Sequence, residues 1–461
     1  MCGLAELGRA GLWRDLAGIV ALGLALSGCD LENNGVAPPA AEVNFPIALA
    51  MAPAAPGEAA PFLYVANSNF DLRYNAGSVQ AYDLAALEAA LSEDDRGEVV
   101  PPTSVLVDGA GVNPEVRIGA HAASMALSPD GDRLYLAVRS DANLTYVDLN
   151  PATGSLDCGG GAAVGHACTD THRRGDDSVS SPRNIDLPGD PTGIVAGSLR
   201  DFGVDSSADW IMTSHRAGRA SLFLEEGTGA PLLVHSLSGL PTELVNLRFD
   251  AGGEQAWLLS ADEARVGRVG VAWDRGRLQT SFLYDAGALA LVGVDDGQDA
   301  RDVRFGTLPN GHAAAYVLAR RPEALLVMDL DLSTPSALHV VRAIEVGFGP
   351  SRLAVGRFGP ADAPRELVFA SCYDSRDVWV VDPVLGEALS VVRGMSGPFE
   401  LAVDESRARL YVSDFRASVV RVADLSPLLD CLGLTGTMVA GSCEPQVLGT
   451  IGKPRPVGDL L

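Results

Sequence analysis

A weakly repeating unit runs through almost all of this 461-residue chain and limits what it can fold into. The clearest copies are Met125-Ala-Leu-Ser-Pro-Asp-Gly-Asp-Arg-Leu-Tyr-Leu-Ala-Val followed by Leu144-Thr-Tyr-Val-Asp-Leu, and Leu401-Ala-Val-Asp-Glu-Ser-Arg-Ala-Arg-Leu-Tyr-Val-Ser followed by Val419-Val-Arg-Val-Ala-Asp-Leu. Each reads as a short apolar strand, a tight polar turn, a second strand, a polar connection and a third strand ending in Asp. A unit of this size cannot bury its apolar faces alone, so it must be stacked on its neighbours.

Seven copies can be counted from second-strand anchors at Tyr64, Tyr135, Trp210, Trp257, Tyr316, Phe369 and Tyr411. First strands open at Pro46, Ala122, Pro191, Pro241, Ala300, Pro350 and Pro398. The strands are rich in Val, Leu, Tyr and Trp and are divided by turns such as Ser128-Pro-Asp-Gly, where Gly supplies a positive φ. Four-stranded units repeated radially solve the edge-strand problem as a β-propeller. The expected fold is therefore all-β: a seven-bladed β-propeller of four-stranded antiparallel blades with loop insertions, over residues 43–461. Anchor spacings of 71 (Tyr64 to Tyr135) and 75 (Tyr135 to Trp210) against 42 (Phe369 to Tyr411) place the insertions early in the chain. One of them, residues 84–94, has the pattern of a short amphipathic helix.

The chain resembles the YVTN-type seven-bladed β-propellers, whose unit runs Pro-x-x-Leu-Ala, Ser-Pro-Asp-Gly-x-x-Leu-Tyr-Val-Ala, then Val-x-Val-Ile-Asp. Copies two, six and seven match best, and copy one offers Leu63-Tyr-Val-Ala-Asn. The resemblance implies an architecture; function has to be argued from a site.

The amino terminus implies an address. Residues 16–26 form an apolar run after Arg9 and Arg14, too short to span a bilayer and suited to a signal-peptide core. The run leads into Leu26-Ser27-Gly28-Cys29, which closely resembles a bacterial lipobox. That resemblance implies a signal peptide over residues 1–28, cleavage before Cys29, lipid attachment at Cys29, and a flexible tether over residues 29–42. The expected location is the bacterial cell envelope, on the outer membrane or the periplasmic face of a membrane. The membrane is engaged through the lipid alone.

A net charge of −25 repels nucleic acid and anionic headgroups, so no nucleic-acid partner is expected. Cys158 and Cys168 follow the third strand of copy two, and Cys431 and Cys443 hold the matching place in copy seven. Two locally closed loops are the economical reading for an exported protein. A zinc site using Cys158, His166, Cys168 and His172 is the alternative. Cys372 is left over as a buried thiol.

Neither a Gly-x-Ser-x-Gly elbow nor a phosphate-binding loop occurs in a strand-to-helix context. The candidate site comes from the architecture. First strands line the central channel, and the second residue after each opening position gives Ala48, Ser124, Gly193, Glu243, Asp302, Arg352 and Glu400, with His121 and Arg301 close by. Ser124, Glu243, Asp302, Arg352, Glu400, His121 and Arg301 are thus the funnel candidates. No catalytic residue and no cofactor is expected, a divalent cation at the funnel being the alternative.

The leading functional expectation is a monomeric, non-enzymatic binding or scaffold module for an envelope protein or glycan. The alternatives are a lactonase-like propeller hydrolase and a surface-layer or adhesion component.

Overall fold

Each second strand carries a continuous apolar run, as in Phe62–Asn67 and Asp209–His215, and both of its faces are buried. Such runs belong to strands covered on both sides, here by the sheets of the two neighbouring blades. Fourth strands such as Leu232–Ser238 are largely exposed and mixed in composition, because they lie on the outer edge. The computed structural model describes residues 35–456, apart from 56–57, 92–96, 162–163, 176–186, 228, 251–254, 263–265, 287–298, 335–336, 361, 363 and 436–442. Cys29 and the signal peptide expected over residues 1–28 lie outside the described residues. Pro38–Leu461 form one compact unit. Within it, the Ala41 amide donates to Glu115 Oε2 at 2.7 Å and Glu42 pairs with Arg455 at 3.1 Å.

Seven separate sheets of four or five strands make up this unit, and together they form the expected seven-bladed β-propeller. The inner strands are Pro46–Met51, Ala122–Leu127, Pro191–Ser198, Leu244–Phe249, Ala300–Thr307, Pro350–Phe358 and Pro398–Asp404. Every one has a register irregularity in its first residues. Such a bulge bends the strand and re-aims the side chains that follow it.

Two registers differ from the sequence reading. The inner strand of blade four opens at Leu244, three residues after Pro241, so its channel position is Asn246 and not Glu243. In blade three, Met212 pairs with Val195 and holds the position that Tyr64 holds in blade one. Trp210 sits two residues earlier, against Gly197, where a Cβ would come within 2.3 Å of the indole.

The insertions act as clasps. Glu98–Val100, from the blade-one insertion, pairs in parallel with Gln446–Ile451 on the outer edge of blade seven. Val100 joins Val420, Val422 and Ile451 in an apolar cluster shared by blades seven and one. His166–Ala167, from the blade-two insertion, pairs in parallel with Glu115–Ile118 of blade one. Arg173–Arg174 returns from the same loop to close blade two with a strand of only two residues. The helix of the blade-one insertion spans Leu84–Ala90, capped by the Asp83 side chain on Ala85 N and Ala86 N, with Leu84 and Leu87 buried.

Both disulfides form as expected, Cys158–Cys168 and Cys431–Cys443. The zinc alternative loses its thiolates to the first bridge, and His172 donates instead toward Asp148 at 3.1 Å. Cys372 is buried, and desolvation pushes its thiol up to about 12, so it is not a nucleophile at neutral pH.

Candidate functional site

The rim of the channel is built by one backbone contact repeated in all seven blades. The amide at the end of the second strand donates to the carbonyl just before the inner strand: Ser68 to Phe45, Arg139 to His121, Arg216 to Asp190, Ala261 to Glu243, Arg320 to Asp299, Tyr373 to Gly349 and Phe415 to Gly397, at 2.8–3.1 Å. The acceptor residue is left-handed in five blades, with φ of 52° at Phe45, 58° at His121, 57° at Asp190, 52° at Glu243 and 65° at Gly349. Holding non-glycine residues there is costly, about 1–3 kcal/mol each.

The donor residues of these seven contacts, with His121, Glu243, Asp299 and the second residue of each inner strand, line a cavity of about 720 Å³. Its wall is chemically divided. On the side of blades seven and one the rings of Phe70, Phe399 and Phe415 line it, with centroids 5.5 Å apart for Phe70–Phe415 and 6.1 Å for Phe399–Phe415, and the buried Phe45 packs behind them 5.1 Å from Phe415. His121 stacks on Phe70 at 5.7 Å. The rest of the wall carries six arginines, Arg139, Arg216, Arg301, Arg320, Arg321 and Arg352, against the four carboxylates Glu243, Asp262, Asp299 and Asp374. Arg352 joins the two halves, its guanidinium lying 4.5 Å over the Phe399 ring.

Below the mouth lies a buried ionic cluster. Asp302 accepts from Arg248 Nε at 3.0 Å, Asn246 Nδ2 at 2.8 Å and, through its other oxygen, the Leu353 amide at 2.9 Å. Arg304 reaches it at 3.2 Å. Glu400 lies 3.5 Å from Arg352, 3.8 Å from Arg304 and 3.9 Å from Arg248. Burial alone would raise the Asp302 carboxyl, but Arg248, Arg304, Arg352 and the Leu353 amide together hold it below the usual carboxylate range. Three guanidinium groups share two carboxylates, and burial with the neighbouring Arg248 brings Arg304 down to about 10.

The candidates from sequence are therefore partly gathered. His121, Glu243, Arg301 and Arg352 line the mouth; Asp302 and Glu400 are in the cluster beneath; Ser124 is buried without lining the cavity. The carboxylates suggested for a cation do not converge, since Glu243 pairs with Arg216 at the rim. Among the described residues, the grouping with metal-ligand geometry is His312, Asp329 and Asp331 at the far end of blade five. There Asp329 already accepts the amides of Asp331 and Leu332 to hold a turn. Burial and then Arg139 lower the His121 pKa, so the imidazole is neutral at pH 7.

Sequence reasoning missed Arg139, Arg216, Arg320 and Phe415, although they share one repeat position at the end of the second strand. It also missed Arg248 and Arg304, two residues past the channel position on the inner strands of blades four and five. Aligning the copies on the second strand and reading one residue further would have found the first group.

No protein-family model matches the chain, and no curated protein matches it. Hydrazine synthase from Kuenenia stuttgartiensis is similar over 85% of this chain and 98% of that one, at 12% identity and a TM-score of 0.50. The β-propeller domain of Cps50 (Swd1) from Myceliophteria thermophila is similar over 82% and 95%, at 11% identity and TM-score 0.46. A protein named "putative 6-phosphogluconolactonase" from Bacteroides uniformis is similar over 73% and 80%, at 15% identity and TM-score 0.45. At these identities the likeness speaks for the propeller fold alone.

Proposed function

We propose that this chain is a YVTN-type propeller carried as a lipoprotein on the bacterial envelope, and that it works as a non-enzymatic binding module whose funnel mouth engages a glycan or protein partner. The observation that carries this reading is the divided wall of the mouth, a chain of phenylalanines facing an arc of arginines. Aromatic rings and arginines are the side chains that dominate recognition surfaces. The lipobox-like Leu26-Ser27-Gly28-Cys29 supports the anchor. Two disulfides support an oxidising compartment. The net charge of −25 argues against nucleic acid as the partner.

Crosslinking in intact envelope with the full-length protein as bait tests the reading. A specific partner is expected with the native chain and is lost with Arg216→Ala combined with Phe70→Ala, both at the rim. Equal recovery by both baits would move the binding surface elsewhere. Fatty-acid labelling that persists in Cys29→Ser would refute the anchor. The second reading, a lactonase-like hydrolase, draws on the neutral His121 beside the arginines, an imidazole able to accept a proton. Turnover of a lactone panel that disappears in His121→Gln would replace the binding reading with that one.

A further inference from the structure

We infer that the ligand of the funnel mouth is an acidic sugar, its carboxylate held by the arginines of blades five and six and its ring face laid on the phenylalanines of blades seven and one. The inference rests on the binding-module reading above and gives it a ligand class.

Two arginines of this arc, Arg320 and Arg321, have no carboxylate partner among the described residues, and Arg301 and Arg352 are only partly satisfied by theirs. Arg320 donates to the carbonyls of Pro350 and Gly349 and to Ser351 Oγ, at 3.3–3.5 Å, and to no carboxylate among the described residues. Arg321 is exposed beside it. Arg301 pairs with Asp299 through one oxygen, leaving Arg301 Nε and Asp299 Oδ1 buried without a hydrogen-bond partner in the protein. Arg352, only 6% exposed, has Nε 3.5 Å from Glu400 without a hydrogen bond to it, while its Nη1 donates to the Ser351 carbonyl at 3.1 Å and its face rests on Phe399. Buried donors of this kind cost free energy unless something satisfies them. A planar carboxylate matches the fork of a guanidinium and uses its edge while the aromatic ring holds its face.

The cations are also crowded. Burial first and Arg301 second lower the Arg320 pKa, and burial opposes the charged form of Arg352 as well. An anion placed between them relieves both effects. The chain as a whole carries −25, so its long-range field opposes an anion. The arginine arc therefore acts by contact and selects a ligand able to gain from direct hydrogen bonds. Two features distinguish a sugar from a bare anion. The Ser351 and Thr192 side chains in the cavity lining offer hydroxyls to ring hydroxyl groups, and Phe70, 55% exposed, offers a flat apolar face at the opening. Glu243, already paired with Arg216, Asp262 and Asp374 disfavour a ligand with many negative charges.

Calorimetric titration of the full-length protein in neutral detergent with a galacto-oligosaccharide ending in a single galacturonate, a neutral galacto-oligosaccharide of equal length and inorganic phosphate tests this. The acidic oligosaccharide is expected to bind roughly tenfold or more tighter than the neutral one, and more weakly as salt is raised. Arg320→Gln and Arg321→Gln are each expected to cut its affinity about fivefold or more, and Phe415→Ala to weaken acidic and neutral sugars alike. Arg321 is exposed, so its variant carries the test if Arg320→Gln does not fold. Equal binding of the two oligosaccharides, no binding of the acidic one, or displacement of it by phosphate at equal concentration would overturn the inference. Failure here with partner crosslinking intact would remove the ligand class and leave the binding-module reading standing.

Discussion

Asp209 opens the second strand of blade three, is 8% exposed and lies near Glu225; burial first and Glu225 second raise its carboxyl to about 7. Its ordinary value is near 3.9, so between pH ~4 and ~7 the folded chain binds a proton that the unfolded chain releases. Stability from this group therefore falls as pH rises through that window. Asp209→Asn is expected to raise the melting temperature at pH 8, by on the order of 2–4 kcal/mol in stability, and to change little at pH 4. Asp302 has the opposite sign. Its pKa is depressed, so its contribution is in force at neutral pH and is lost as acid carries the solution below the usual carboxylate range. Asp302→Asn strands Arg248 and Arg304 in the interior and is expected to cost about 3–5 kcal/mol, read from denaturant unfolding at pH 7. Neither behaviour was legible in the sequence. Asp302 was found because it lies on the repeat, whereas its pairing with Arg248 joins two blades through space.

The elements that break the repeat hold the ring together. The parallel strand Glu98–Val100 binds blade seven to an insertion of blade one, and Val100 is 1% exposed. Val100→Asp buries a charge among Val420, Val422 and Ile451. It is expected to abolish amide-exchange protection in Gln446–Ile451 before the inner strands of blades four to six are affected. The Cys158–Cys168 bridge closes the loop that carries His166–Ala167 onto blade one. Removing it as Cys158→Ser with Cys168→Ser is expected to lower stability by about 2–4 kcal/mol, with proteolysis beginning in that loop. The cysteines were sorted correctly from their matching places in copies two and seven. Where their loops would dock was not readable, because a two- or three-residue edge strand has no periodicity to detect. The shift at Leu244 has a similar origin: Pro241 imitates the opening Pro of other blades, and only hydrogen-bond register separates the two.

At the scale of the whole molecule, an acidic surface encloses a mouth and a floor rich in arginine. A net charge of −25 repels itself at low ionic strength, so raising salt from about 10 to 300 mM is expected to increase the melting temperature in a thermal scan, while weakening an anion held at the mouth. The blade count, the second strands, the stapled cysteines and most inner strands were determined by the sequence itself. They rest on composition and period, which local chemistry makes visible along the chain. The tertiary structure alone decided which side chains share a space. Phe70 and Phe415 lie 345 positions apart yet pack edge to face because the ring closes blade seven on blade one, and Arg320 meets Arg301 and Arg352 because bulges at the strand openings turn successive blades toward one axis. Repeats specify what each blade is; closure of the ring brings their rims together, and contact at that rim depends on distance in space and not on separation in sequence.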